Sequence, residues 1–181
     1  MRDLPELRDG EVCLSELLPE DVGADYVSWL NDPATTRYTE VRHRSHDLES
    51  ARAYVEDANR SSRDVLWQIC VKDKPVGNVR LSNIDKMHLR AEIAILIGVH
   101  DFLGLGVGTT AIRLATDYAY SSFGLQKIVA GIYAGNIASR RAFAKAGYRE
   151  DAVLTRHAAF EGSRTDVVHM VRFWDDIDLI C

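Results

Sequence analysis

Three glycines at alternate positions, Gly104, Gly106 and Gly108, are the strongest chemical signal in the sequence. Glycine has no side chain to block a ligand and adopts the backbone angles of tight turns, so such a loop exposes several backbone amides together. A helix is predicted directly beyond it, from Thr109 to about Ser122, because apolar residues recur there at helical spacing. The first N–H groups of a helix lack intrahelical partners and lie at the positive end of its dipole. Loop and helix together predict a receptor for phosphate or pyrophosphate.

The glycine spacing departs from two common phosphate-binding motifs. No Gly-Lys-Ser/Thr follows the loop, which excludes the P-loop of nucleoside triphosphatases. The third glycine is too close, and no early βαβ unit precedes it, for a dinucleotide-binding fingerprint. Considered alone, the loop leaves a purely structural turn as the alternative.

One acid, Glu92, interrupts the nearly continuous apolar strand predicted at Ala91–Ile97, immediately before the loop. Such runs are typical of strands covered on both faces. Because side chains alternate along a strand, Glu92 shares a face with apolar residues, and we expect it not to be a simple solvated charge. A buried carboxylate suits general-base chemistry. An ion pair with Arg80 or Arg90 is the equally weighted alternative.

The helices and strands that position these residues are predicted from the periodicity of apolar residues and from residues that begin or end helices. Alanines recur four apart in Asn136–Ala146, which predicts a second helix that Gly147 ends. In the first half, Pro19 opens a helix, Asp32-Pro33 starts a short one towards Tyr38, and Asp47 caps a third to about Asn59. The predicted strands are 11–17, Val65–Lys72, Val76–Ile84, Ala91–Ile97, Lys127–Ile132, 148–157 and 164–173. This order predicts one α+β (α/β) domain over residues 1–181, with helices packed on a mixed sheet.

Composition restricts the classes of partner. A formal net charge of −5 argues against a nucleic-acid-binding protein, and no run approaches the roughly 20 apolar residues that span a bilayer. Neither nucleic acid nor membrane is therefore expected as a partner. The cysteines Cys13, Cys70 and Cys181 are far apart and form no CxxC pair, so neither a disulfide framework nor a zinc site is indicated. A charged N-terminus without an apolar stretch predicts a cytoplasmic protein.

A second motif lies downstream of the glycine loop. Asn136, Ser139 and the segment Lys145–Tyr148 form Asn-x-x-Ser followed by Lys-x-Gly-Tyr. With this motif and the glycine loop in this order, the chain resembles the GNAT acetyltransferases from about residue 11 to residue 173. Ser28–Pro33 and Gly162–Val168 are similar to the branch that contains ribosomal-protein N-terminal acetyltransferases and amino-sugar acetyltransferases.

The resemblance implies acetyl-CoA as the cosubstrate, no metal, and a mainly antiparallel sheet splayed between two central strands. The end of the strand at Ile97 would diverge from strand 127–132, so that the pantetheine arm pairs like an extra strand. Asn136 would reach that arm, and Ser139 would lie one helical turn further on the same face. Backbone amides of the loop would hold the pyrophosphate: Leu105, Gly106, Val107, Gly108 and Thr109.

Two positions depart from the family pattern. Leu103 stands where the loop usually begins with Gln or Arg, so one phosphate contact is missing. Phe143 stands where many members carry a tyrosine general acid. Ser139, a water or the newly formed ammonium would then protonate the leaving thiolate. Glu92, acting through a water, and Ser139 are the predicted catalytic residues.

The segment after the short helix usually borders the acceptor cleft in this family. Glu40 and Arg42 are therefore predicted to contact the substrate, with solvated loop charges as the alternative for Glu40. Arg37, Arg42 and Arg44 are the concentrated basic residues that an acceptor diphosphate would need. His100 is a candidate base with a surface histidine as the alternative. No convincing metal-ligand spacing links the histidines at positions 43, 46, 88, 100, 157 and 169.

The sequence thus predicts acetyl transfer from acetyl-CoA to a primary amine by direct attack in a ternary complex. We favour a nucleotide-linked amino sugar as the acceptor, and the N-terminal amine of a protein is the closest alternative. Leu103 and Phe143 leave room for a non-catalytic CoA-binding module. A homodimer is left open.

Overall fold

The structure is a computed structural model that describes residues 4–174. Within that range it contains eight strands, five α-helices and three short 3-10 helices. The strands are β1 (Leu7–Asp9), β2 (Val12–Glu16), β3 (Val65–Val71), β4 (Lys74–Asp85), β5 (Arg90–Ile97), β6 (Lys127–Tyr133), β7 (Arg149–Phe160) and β8 (Ser163–Phe173). The helices are α1 (Ala24–Asn31), α2 (Pro33–Thr36), α3 (Leu48–Arg60), α4 (Val107–Phe123) and α5 (Ile137–Lys145). None of these helices is long and apolar enough to cross a membrane.

One sheet contains all eight strands in the order β1-β2-β3-β4-β5-β6-β8-β7. Neighbouring strands are antiparallel except β5 and β6, which are parallel. The parallel pair needs a crossover connection, and α4 supplies it. The predicted α+β fold with a mixed, mainly antiparallel sheet is confirmed.

Helices cover both faces of the sheet. On one face, α4 packs its buried side Ala111, Ile112 and Ala115 against the inward residues of the central strands. On the other face, α1 and α3 form a second, smaller core that includes Leu30 and Val55. The central strands are therefore covered on both sides only where the second core extends.

The N-terminal helices differ in detail from the predicted ones. The helix predicted from Pro19 is only a 3-10 turn, Pro19–Asp21, and α1 begins after Gly23. Asp32 caps α2, since its carboxylate accepts hydrogen bonds from the first-turn amides. The predicted cap of α3 is confirmed, because Asp47 and Ser50 form a reciprocal capping box. Strand β1 and a 3-10 helix at Glu40–His43 were not predicted.

The end of β5 is held by a close contact with α1. The ring of Trp29 lies on the backbone of Gly98, where a Cβ atom would stand 2.1 Å from Cδ2 of the indole. Only glycine allows this approach. The contact fixes α1 beside the point at which β5 leads into the glycine loop.

Helix α5 buries most of the face that the alanine spacing predicted, since Ala146 is buried and Ala142 packs against the core. Ala138 is exposed, and Phe143 is the buried residue of the helix. The Phe143 ring packs edge-on against Tyr148, with ring centroids 5.0 Å apart. Gly147 follows the helix with a positive φ of 89°, which agrees with its predicted role in ending it.

Candidate active site

Strands β5 and β6 form a fork. They pair at only three positions, Arg90 with Lys127, Ala91 with Ile128 and Glu92 with Val129, and then diverge towards Ile97 and Tyr133. Strand β4 stays paired with β5 as far as Ile97. Beyond Glu92, the β5 edge that faces β6 therefore has no strand partner among the described residues. This is the splay that the sequence resemblance implied.

A cavity of about 630 Å³ occupies the fork. Its size lies within the range of small-molecule sites. It passes through the sheet, because Asn136, Ser139 and Phe143 line it from the α5 face while Glu40 and Arg44 line it from the opposite face. Two ligands approaching from opposite faces could therefore meet between the strands.

The glycine loop ends at the N-terminus of α4. Gly104 and Gly106 have positive φ values of 77° and 86°, and Gly106 is the N-cap of the helix without any side-chain cap. The first-turn amides of Val107, Gly108 and Thr109 have no intrahelical partners because of their position. With no acidic residue in this turn, the helix end is free to bind an anion.

Gly108 differs from the other two glycines. Its φ is not positive, and a Cβ there would meet Cδ1 of Ile95 at an ordinary 3.6 Å. The turn therefore requires glycine at 104 and 106 but not at 108. Leu105, at the tip of the loop, is 70% exposed, and Leu103 is exposed as well, so neither side chain fills the space before the helix.

Asn136 and Ser139 both line the cavity. Asn136 caps α5 by accepting a hydrogen bond at Oδ1 from the Ser139 N–H, at 3.2 Å. No described residue accepts from Nδ2 of Asn136 or bonds to Oγ of Ser139. An amide donor and a hydroxyl thus remain at the cavity wall.

Neither aromatic residue at the end of α5 offers a phenol to the cavity. Phe143 lines the cavity with an apolar ring, as the sequence required. The hydroxyl of Tyr148 is buried and shares a 2.6 Å hydrogen bond with that of Thr116. Burial raises the pKa of Tyr148 well above its usual value, so this phenol stays neutral and internal.

Glu92 does not have the environment predicted for it. Its side chain is exposed and is not part of the cavity wall. The two arginines considered as its partners are bonded elsewhere, Arg80 to Asp64 at 2.8 Å and Arg90 to Asp85 at 3.8 Å. The expectation of a shielded carboxylate is wrong, because the second core does not extend over this part of β5. A catalytic role for Glu92 stays a prediction.

Tyr133, at the end of β6, supplies a phenol that the sequence reasoning missed. Its hydroxyl donates to Oε1 of Glu40 and accepts from Nη2 of Arg42 at 2.8 Å. Arg42 is only 16% exposed and also donates to the backbone oxygens of Thr39 and Ala159, at 2.6 and 3.2 Å. Arg42 thus ties the segment after α2 to β6 and β7.

A second cavity, of about 490 Å³, adjoins the first beside Arg44. Arg37, Arg42, His43 and Arg44 line it, and Arg44 lines both cavities. Glu161 bonds Arg37 through both carboxylate oxygens at 2.9 and 3.1 Å, which raises the pKa of that guanidinium. The three arginines predicted for a diphosphate are therefore together, although Arg37 and Arg42 already have protein partners.

His100 lies outside the fork. Its Nε2 is 3.0 Å from both the Asp32 carboxylate and the Thr35 hydroxyl. The Thr35 hydrogen bond, with smaller contributions that include His100, lowers the pKa of Asp32. The surface interpretation of His100 fits this position. Within residues 4–174, no three His, Cys, Asp or Glu side chains are grouped to hold a metal ion.

Residues 11–149 match the family described as Acetyltransferase (GNAT) domain. The chain belongs to the GNAT acetyltransferases. Membership identifies it as an acetyl-CoA-dependent N-acetyltransferase. The N-acetyltransferase YoaA of Bacillus subtilis strain 168 is 25% identical to this GNAT enzyme over 167 residues, covering 90% of the chain and 93% of YoaA.

Solved structures share the fold at low identity. RimL, a ribosomal L7/L12 alpha-N-protein acetyltransferase in complex with coenzyme A, superimposes with a TM-score of 0.85 at 16% identity, covering 95% of this chain and 99% of RimL. Spermidine N-acetyltransferase of Vibrio cholerae, in complex with CoA and spermine, gives a TM-score of 0.81 at 20% identity, covering 92% and 97%. These enzymes have different acceptors, so the fold alone does not identify the acceptor of this GNAT enzyme.

Proposed function

We propose that this enzyme transfers the acetyl group of acetyl-CoA directly to a primary amine in a ternary complex, and that the amine belongs to a nucleotide-linked amino sugar. The observation that carries the acceptor class is the arginine-lined second cavity beside the fork. A cytoplasmic location and a homodimer remain predictions from the sequence.

The residues of the fork fit the cofactor by their chemistry. The uncapped start of α4 offers amides from Leu105 to Thr109 to a pyrophosphate. The unpaired edge of β5, as far as Ile97, offers backbone groups to an extended amide-bearing chain. Asn136 can donate from Nδ2 to a carbonyl of that chain. Bound acetyl-CoA supplies an activated acetyl thioester to the cavity.

The chain then has to hold the amine, accept its proton and protonate the leaving thiolate. Positioning both reactants in one cavity supplies much of the rate enhancement of such a transfer. Ser139 is the hydroxyl in the cavity wall that would donate to the thiolate, since Phe143 cannot. Glu40 is the predicted carboxylate that lines the cavity, whereas the exposed Glu92 would need a water between it and the amine.

The second cavity favours an anionic acceptor. Arg44 is exposed, and no described side chain pairs with it. Arginine binds phosphate oxygens through its planar donor groups, so Arg44 suits a diphosphate, to which Arg37 would add only the donors that Glu161 leaves free. A polyamine would bring further positive charge to these arginines, which disfavours that acceptor class.

The test is thiol release from acetyl-CoA in the presence of UDP- and dTDP-amino sugars, spermidine and a peptide with a free N-terminus. We expect turnover with an amino-sugar nucleotide. Arg44→Gln should raise its KM about tenfold or more at unchanged kcat, since one charge-assisted hydrogen bond is worth about 1.5–3 kcal/mol. Arg63→Gln, a charge-matched change outside both cavities, is the control.

Two outcomes would contradict the proposal. Turnover of the peptide but not of the sugar nucleotides would assign a protein N-terminus, the acceptor class of RimL. Equal KM values for Arg44→Gln and the wild-type enzyme would remove the role of the second cavity in binding the acceptor.

A further inference from the structure

The ring of Tyr133 lines the cavity in the fork, and its neighbours Phe160 and Arg42 line the second cavity. It packs against the rings of Tyr38 and Phe160, with centroid distances of 6.2 and 5.5 Å, and the guanidinium of Arg42 lies 4.9 Å from its centroid. Only 8% of Tyr133 is exposed. These three neighbours hold the ring in place, so its hydroxyl has a defined position in the cavity wall.

The direction of the Tyr133 hydrogen bonds is fixed by chemistry. A guanidinium can only donate, so the phenol oxygen must accept from Arg42. The phenol proton is then directed to the other partner, the carboxylate of Glu40. Arg42 cannot easily turn away, since two backbone oxygens hold the rest of its guanidinium. One further lone pair of the phenol oxygen remains for a donor in the cavity.

Tyr133 and Glu40 line the same cavity as Ser139 and Phe143. The side chain of Glu40 is 73% exposed, so a proton that reaches it can pass on to solvent. Tyr133 thus connects an enclosed position in the fork with an exposed carboxylate. It approaches from the opposite side of the sheet to Phe143, where the family tyrosine is missing.

We propose that Tyr133 relays a proton from the acceptor ammonium to Glu40. This inference rests on the proposed amine acetylation. The N–H bond of the ammonium breaks and its proton binds the phenol oxygen, while the original phenol proton passes to Oε1 of Glu40. The amine gains its lone pair, the phenol ends as neutral as it began, and Glu40 becomes neutral until it releases the proton to water.

The electrostatic surroundings support a relay rather than a phenolate base. Burial, followed by the hydrogen bond to Glu40, raises the pKa of Tyr133, so the phenol is protonated at neutral pH. It needs an acceptor for its own proton, and Glu40 is that acceptor. The other charged and titratable groups around the pair are Arg37, Tyr38, Arg42, His43, Arg44, His46 and Glu161.

The experiment measures kcat and KM against pH for the wild-type enzyme, Tyr133→Phe and Glu40→Gln, with the amine that wild type acetylates best. Each variant should lose about 10²-fold in kcat near neutral pH, the scale of general acid–base catalysis. The loss should shrink as the pH approaches the pKa of the amine, because the amine then deprotonates without help. The double variant should lose no more than either single one, since the two groups act as one unit.

Tyr118→Phe is the matched control, because this ring packs on Trp67 outside both cavities. Melting temperatures identify any variant that has lost its fold. A Tyr133→Phe enzyme with wild-type kcat, or with a loss that is the same at every pH, would overturn the relay. Absence of acetyl transfer by the wild-type enzyme itself would instead refute the proposed function.

Discussion

Replacing Gly106 by alanine tests whether the loop backbone binds the pyrophosphate. Gly106 has a φ of 86°, and alanine in the left-handed region costs about 1–2 kcal/mol. No described atom lies within 4 Å of a Cβ placed there, so the substitution adds strain without a clash. The free protein can therefore relieve the strain by rotating the peptide between Leu105 and residue 106, because that rotation changes the φ angle of residue 106.

That rotation has a consequence for binding. It turns the N–H of residue 106, the N-cap of α4, away from its present direction, and the bound anion would require it to turn back. The strain of about 1–2 kcal/mol then appears in the complex rather than in the free protein. We expect the Kd for acetyl-CoA to rise about 5- to 30-fold. We also expect the melting temperature of the saturated protein to fall by about 2–8 °C relative to saturated wild type.

Gly124→Ala is the matched control, since Gly124 ends the same helix with a φ of 62° and also has no described atom within 4 Å of a Cβ. It should lower the melting temperatures of the free and saturated proteins about equally and leave the Kd unchanged. The measurements are calorimetric titration and thermal unfolding with and without acetyl-CoA. A Gly106→Ala protein with wild-type Kd and wild-type saturated melting temperature would refute the reasoning.

Two further predictions concern stability. Gly98→Ala should lower the free energy of unfolding, measured in urea, by about 1–3 kcal/mol, because the new Cβ overlaps the ring of Trp29. In a Trp29→Ala background the same substitution should cost less, because the ring is gone. Strictly additive effects of the two substitutions would argue against the overlap. Burial, then the facing thiol of Cys70, raise the pKa of Cys13 from 9.0 to about 11. The folded state holds this proton more tightly, so its contribution to stability is complete below pH 9 and is lost as the pH rises to 11. Cys13→Ala should flatten this alkaline decline, and an unchanged slope would contradict the assignment.

Local signals in the sequence predicted much of the fold. The Asp47 cap, the hairpin before β5 and the helix after the glycine loop depend on neighbouring residues, and the structure contains all three. The predictions that were wrong concern helix boundaries, which depend on tertiary packing. Pro19 correctly indicated a helical start, but the chain breaks at Gly23 before α1. The short 3-10 helix Glu40–His43 has too few residues to show a periodicity.

The two sides of the site differ in how far the sequence could predict them. The loop and the pair Asn136 and Ser139 belong to short motifs, so their common position was predictable. In the sequence, Tyr133 looks like one more apolar residue of a strand. Its hydrogen-bond partner Glu40 is distant in sequence, so no local pattern predicts their contact. The predicted burial of Glu92 was wrong for a related reason, since the exposure of this side chain depends on how far helices of another segment extend over β5.

This difference has a functional basis in the fork. The side proposed to bind acetyl-CoA is formed by β5, the glycine loop and the starts of α4 and α5. These elements are close in sequence, so short motifs can encode them. On the side proposed to bind the acceptor, two contacts join the segment after α2 to the β7–β8 hairpin. They are the ion pair of Arg37 with Glu161 and the hydrogen bond from Arg42 to the backbone oxygen of Ala159. Loops joined in this way can change without disturbing the sheet. We therefore expect substitutions in these loops to change the acceptor of this enzyme without changing its affinity for acetyl-CoA.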